Sequence, residues 1–221
     1  MNGFFQNHIA LFGGSFNPPH LGHLVAARGL LQNPGVKKVL VLPSFGNPLK
    51  PESSVSFEKR FEMAKLNFEE LEVSSFEKVQ MTNSTSELLS QIKLLTAEHP
   101  VAFIIGTDQF NSLASWVDFP NFLLLCDWIV LLRQPHPVDS CASAIRKYES
   151  LGILRSTRDP QTFEIKKGPH LRHLRLVETD AQEVSSTFIR EQLALRKKDK
   201  IKHLLKPEVL DYIERNSLYG T

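Results

Sequence analysis

Two histidines, His20 and His23, close the stretch Gly13-Gly14-Ser15-Phe16-Asn17-Pro18-Pro19-His20-Leu21-Gly22-His23. Adjacent glycines permit a tight turn and let backbone approach a ligand with no Cβ between, and Pro19 restricts the residue before it. From Gly22 onward Leu24, Ala27, Leu30 and Leu31 take helical spacing, so the two imidazoles project from one side of a helix start. The N–H groups and positive dipole end there favour an anion, and imidazole N–H groups can donate to phosphate oxygens. The stretch is neither G-x-x-x-x-G-K-[ST] nor G-x-G-x-x-G, which excludes the two common glycine-rich phosphate loops. Zinc is disfavoured, because the i,i+3 pair has no Cys or carboxylate close by. A proline-rich turn with two surface histidines is the plain alternative; two imidazoles on one helix edge favour phosphate.

A second candidate lies far downstream, at Val184-Ser185-Ser186-Thr187-Phe188-Ile189-Arg190 ahead of Leu193 and Leu195. Ser185 or Ser186 is a good N-cap. Arg190 then falls within the first turns, where a cation costs roughly a few tenths of a kcal/mol against the helix dipole. A bound polyphosphate reverses that sign, because hydroxyls, N–H groups and a guanidinium converge on one anion. The alternative is an ordinary capped helix whose Arg190 points to solvent.

Between these two lies Gly106-Thr107-Asp108, followed by Leu113 and Trp116. Asp108 at a strand-to-helix turn can accept ribose hydroxyls or serve as an N-cap. Trp116 can stack on a flat ring or fill the core.

Such residues need elements to hold them together. Apolar runs at 8–12, 39–42, 101–105 and 128–132 end at Gly13, Pro43, Gly106 and Arg133, as strands buried on both faces do. Phe57, Phe61, Ala64, Phe68 and Leu71 form one helical stripe, Leu88, Leu89, Ile92 and Leu95 a second, with a third hinted at by Ile145 and Tyr148. Pro207 opens a last helix. Alternating strands and helices imply an α/β fold, a Rossmann-like doubly wound and mainly parallel sheet with flanking helices. Ligands then bind beyond the carboxyl ends of the strands. The segment 133–170, with four prolines, reads as an irregular excursion or an added hairpin.

The 221 residues, 42% hydrophobic and 23% charged, fit one domain, 1–221, with a C-terminal helical segment 185–221. Lys and Arg number 26 against 24 Asp and Glu, a net +2, which excludes a strongly basic nucleic-acid coat. Cys126 and Cys141 are too few for a disulfide framework. No export signal and no bilayer-length apolar run is read, so a cytoplasmic protein with neither nucleic-acid nor membrane partner is expected. A homo-oligomer is compatible with these features, which set no oligomeric state.

The loop ending in His20-Leu21-Gly22-His23 resembles the H-x-G-H element of the nucleotidylyltransferase superfamily, in its nicotinate-nucleotide adenylyltransferase branch. The segment 184–190 is similar to that family's I-S-S-T-x-I-R element, with Val184 for the leading Ile. The resemblance covers nearly the whole chain. It implies adenylyl transfer from ATP, accompanied by Mg²⁺, to nicotinate mononucleotide. It assigns His20, His23 and Arg190 to catalysis and Gly13, Gly14, Ser15, Phe16, Gly106, Asp108, Ser186 and Thr187 to ATP. Lys50, Thr85 and Trp116 would hold the pyridine mononucleotide, with no protein metal ligands. Departures are Leu49 where the family has His before Lys50, Gln134 inside its R-P turn after Arg133, and Ser84, Glu87 and Leu88 in a run that contacts the pyridine nucleotide. These leave nicotinamide mononucleotide or phosphopantetheine as other acceptors, and a non-catalytic nucleotide-binding regulator as a different class.

Overall fold

Ala10, Leu11 and Phe12 are consecutive and all buried, the condition for a strand covered on both faces. Ala10 and Phe12 pack with Leu24, Ala27 and Leu30 on one side, while Leu11 packs with Phe103 and Trp128 on the other. A computed structural model describes residues 6–33, 35–45, 55–81, 84–95, 99–134, 138–182 and 184–221. In chain order the elements are β1 (His8–Gly14), α1 (Leu21–Leu31), β2 (Val36–Pro43), α2 (Phe57–Asn67), β3 (Glu72–Val73), α3 (Phe76–Gln80), α4 (Thr85–Leu95) and β4 (Val101–Gly106). There follow α5 (Thr107–Asn111), β5 (Asp127–Gln134), α6 (Ala142–Ser150), β6 (Arg155–Ser156), β7 (Thr162–Lys167), β8 (His170–Gln182), α7 (Ser186–Ala194) and α8 (Pro207–Arg215).

The strands form one sheet in the order β3-β2-β1-β4-β5-β8-β7-β6. From β3 to β8 every neighbouring pair is parallel, and β6 and β7 add antiparallel edge strands. Helices cover both faces, so the doubly wound sheet expected from the alternating runs is the fold found. The order reverses at β1, which has β2 on one side and β4 on the other; in such sheets this switch point opens a crevice at the carboxyl edge.

A third apolar cluster joins Met63 of α2 to Ile189 and Leu193 of α7 and Val209 and Ile213 of α8. The C-terminal helices are thereby fixed against the helix that follows β2.

The structure corrects one expectation from the sequence and decides between the two alternatives of another. The helix beginning at Phe57 stops at Asn67 rather than running to Leu71, and its buried face includes Arg60, Met63 and Asn67 while Phe61 is only half-buried. Polar Arg60 and Asn67 tolerate burial because both find backbone carbonyl acceptors. The segment 133–170 contains α6 and, with β8, the added hairpin: β7 pairs antiparallel with β8 through Thr162↔Arg175 to Lys167↔His170.

Candidate active site

Parallel pairing puts the carboxyl ends of β1, β2, β4, β5 and β8 along one edge. Gly14 faces Pro43, Gly106 faces Leu131, and Gln134 faces Gln182. The loop before α1, the start of α5 and the start of α7 all leave from that edge. Helix starts far apart in sequence therefore open on the same edge of the sheet.

The loop at 15–20 lies between β1 and α1, and its backbone carbonyls accept hydrogen bonds from distant side chains. Arg60 Nη1 donates to the Ser15 carbonyl at 2.8 Å, Arg190 Nη1 to that of Asn17 at 2.8 Å, Ser186 Oγ to that of Pro18 at 2.9 Å, and Asn67 Nδ2 to that of His20 at 3.4 Å. Tyr219 Oη adds a bond to Asn17 Oδ1 at 2.5 Å. A loop without a ladder must satisfy its polar groups in this way. The result is that Ser186 and Arg190 border the histidine loop, and Arg190 does not point away to solvent. Its Nη2 also donates to Thr187 Oγ1 at 3.1 Å. Burial raises the Tyr219 phenol above its usual range, against the lowering influence of Arg190 and Arg60.

His20 is the N-cap of α1 and His23 its third helical residue. The His23 N–H donates to His20 Nδ1, and the His20 N–H to His23 Nδ1, both at 3.3 Å. A reciprocal cap of this kind makes each Nδ1 an acceptor, so each ring carries its proton on Nε2 and presents that atom as donor. The rings stack with centroids 3.6 Å apart, and Phe16 and Phe12 pack edge-on against His23. The imidazoles are thus fixed in orientation before any ligand arrives.

Neither helix start is bare, which corrects the expectation of open N–H groups. The N–H of His23 is taken by His20, and Ser185, the N-cap of α7, accepts from Thr187 and Phe188. Yet α1 and α7 have no acidic residue in their first turns, as is also true of α6. By contrast α2, α3, α4, α5 and α8 carry Glu58, Glu77, Glu87, Asp108 and Glu208 there. The dipole ends of α1 and α7 are left without a carboxylate that would repel an anion, while α5, at the same edge, keeps Asp108.

Gly13 and Gly14 hold φ values open to any residue; what excludes a side chain is packing. A Cβ on Gly13 would lie 2.9 Å from the Phe103 ring, and one on Gly14 3.0 Å from the Phe16 ring. Phe16, at φ 47° and 2% exposed, points its ring into the core, so only its backbone faces the cleft. Gly106 is the N-cap of α5 and Gln109 Oε1 accepts its N–H at 3.0 Å. Asp108 is therefore not the cap: it lies exposed in the first turn. Trp116 is half-buried, stacked on Phe122 with centroids 5.9 Å apart. Thr85 opens α4, and the next residue, Ser86, donates to Asp118 Oδ2 at 3.0 Å; Asp118 lies two residues beyond Trp116. These bonds from Asn121 and Ser86 hold the Asp118 carboxyl below its usual range. Arg133 lies within β5 rather than in a turn, and Lys50 lies outside the described residues. Residues that the motifs did not single out are Arg60, Asn67, Glu77 and Tyr219.

Residues 11–192 match the profile of the cytidylyltransferase-like family. A probable nicotinate-nucleotide adenylyltransferase of Shewanella woodyi is 30% identical over 219 residues, covering 96% of this chain and 99% of that one. Another, from Prosthecochloris aestuarii, is 32% identical over 223 residues, covering 96% and 98%. The chain belongs to the nicotinate-nucleotide adenylyltransferase family, within the cytidylyltransferase-like proteins. Its fold is also that of Plasmodium falciparum nicotinic acid mononucleotide adenylyltransferase complexed with NaAD, with a TM-score of 0.73 at 20% identity, covering 97% of this chain and 98% of that one.

Proposed function

We propose that this chain joins the AMP part of ATP to nicotinate mononucleotide, releasing pyrophosphate and forming nicotinate adenine dinucleotide. The observation that carries the reading is the direct bonding of Ser186 and Arg190 to the loop that leads into His20 and His23. A triphosphate laid along this seam meets two stacked imidazoles at one end and hydroxyls and a guanidinium at the other.

The phosphate oxygen of the mononucleotide is already a nucleophile. It attacks the α-phosphorus of ATP, the bond to the bridging oxygen breaks, and that electron pair leaves with pyrophosphate. No protein nucleophile is required. The protein's work is to align two anions and neutralise charge as it moves to the leaving group. His20 and His23 donate from Nε2 to the reacting phosphates. Ser186, Thr187 and Arg190 take the β- and γ-phosphates, and the backbone of Gly13, Gly14, Ser15 and Phe16 borders the nucleotide. Gly106 and Asp108 receive the ribose. Trp116 and Thr85 receive the pyridine nucleotide, with Lys50 on its phosphate. Magnesium would accompany ATP as its counter-ion and would help neutralise the charge that passes to pyrophosphate.

The test offers MgATP with nicotinate mononucleotide, nicotinamide mononucleotide or phosphopantetheine and follows pyrophosphate. Release is expected with the nicotinate form at the highest kcat/KM. Preference for either other acceptor corrects the substrate, and ATP binding with no pyrophosphate from any of them defeats the catalytic reading.

A further inference from the structure

One buried cation joins the histidine loop to the end of β2. Arg60 of α2 is 4% exposed. Besides the Ser15 carbonyl, it donates through Nη2 to the Ser44 carbonyl at 2.8 Å and through Nε to that of Val55 at 3.4 Å. Ser15 begins the histidine loop, and Ser44 begins the loop after β2. The peptide group whose carbonyl Arg60 holds is the same one whose N–H, on Phe45, donates to Glu77 Oε2 at 3.0 Å. Glu77, on α3, is 7% exposed. The 44–45 peptide is thus gripped from both sides by buried charged side chains, while the Ser44 N–H donates to the Gly14 carbonyl at 2.9 Å.

Burying a guanidinium and a carboxylate is expensive, and apolar side chains would fill such volumes more stably. Burial lowers the Arg60 pKa and raises that of Glu77 to about 7, each opposed by the other's charge. What charged groups supply here, and apolar ones cannot, is a directional hold on one peptide.

We propose that Arg60, with Glu77 as its counter-grip, is a positioning pair that fixes the histidine loop at Ser15 against the carboxyl end of β2 at Ser44, and so governs turnover rather than affinity for either substrate. The proposal rests on the adenylyl-transfer reading of the site. Neither side chain touches the reacting atoms. Their effect is on the alignment of two phosphates, where a displacement of about 1 Å can cost roughly 10²-fold in rate.

The experiment compares Arg60→Met, Arg60→Lys, Glu77→Leu and Glu77→Gln with the native chain, well below each unfolding midpoint and with kcat expressed per folded molecule. Arg60→Met is expected to lower kcat by about 10²-fold, with each KM within about threefold. Arg60→Lys reaches fewer carbonyls and falls between. Glu77→Gln keeps an acceptor for the Phe45 N–H and retains most of the turnover that Glu77→Leu loses. A purely structural role would lower the midpoint and leave kcat per folded molecule unchanged, and that result overturns the proposal. So does a loss that falls on KM instead of kcat. If Arg60→Met does not fold, Arg60→Lys and Glu77→Leu decide by the same criteria. Amide exchange supplies a reading independent of catalysis: Glu77→Leu should speed exchange at the Phe45 amide and leave β1 and β2 unchanged, whereas equal rates at Phe45 overturn the grip. A native chain inactive with every mononucleotide would defeat the proposed function, and the grip would then stand or fall on exchange alone.

Discussion

Around the loop at 15–20, backbone carbonyls are held by side chains 45 to 173 residues away in sequence. Around Trp116 and the start of α4, the hydrogen bonds are mostly local and solvent-facing: Ser115 to Ser112, Asn121 to Asp118, and the Glu87 N–H to Ser84. The one bond described between those two segments, Ser86 to Asp118, is itself exposed. The first wall is tied to the fold by polar bonds from several elements, while the second, local in its hydrogen bonds, is held to the sheet by apolar packing of Trp116 and α4 on the core. The division fits the chemistry. Every adenylyl transfer needs the same triphosphate geometry, whereas the acceptor is what distinguishes one enzyme of this kind from another.

The largest effect is expected from His23→Ala. Removing a donor to transition-state charge should cut kcat by roughly 10²-fold or more, and near-normal turnover in a folded variant would remove His23 from the reacting centre. Next comes Arg190→Ala, which strips charge-assisted bonds from the triphosphate and should raise the KM for ATP by about 30-fold. Because Arg190 also holds the Asn17 carbonyl, some loss of kcat should accompany it; an unchanged KM for ATP would sink the triphosphate assignment. Trp116→Ala should raise the acceptor's KM by roughly fivefold, the scale of one aromatic stacking contact, with the KM for ATP unmoved. Should ATP binding suffer as much as in Arg190→Ala, the two walls would not be separable. The smallest effect is expected from Ser86→Ala, which loses one exposed hydrogen bond to Asp118 and should show only a slight fall in Tm. A large fall would mean that the acceptor wall is also held by long-range polar bonds.

Four strands were legible because runs such as Val101–Ile105 are continuously apolar and stop at glycine. β8 was not. Leu174 and Leu176 alternate with Arg175 there, a period-two signal diluted by charge and preceded by a proline, and it becomes readable only beside β5. The histidine and serine segments could be read because side chains that bind a common anion form compact local patterns. Arg60 and Tyr219 could not, since their partners are main-chain carbonyls and a loop amide belonging to other parts of the chain. An arginine on a helix carries no local sign of what it will hold. The glycines illustrate the reverse case: Gly13 and Gly14 were read as room for a ligand, and their nearest constraint is instead the Phe103 and Phe16 rings.

The bond between Tyr219 and Asn17 spans 202 residues. The loop after β1 is therefore completed by a side chain that follows α8. Until Tyr219 docks, the histidine loop lacks one of its anchors, so a molecule in which that segment is displaced should lose order at the loop even with its sheet intact.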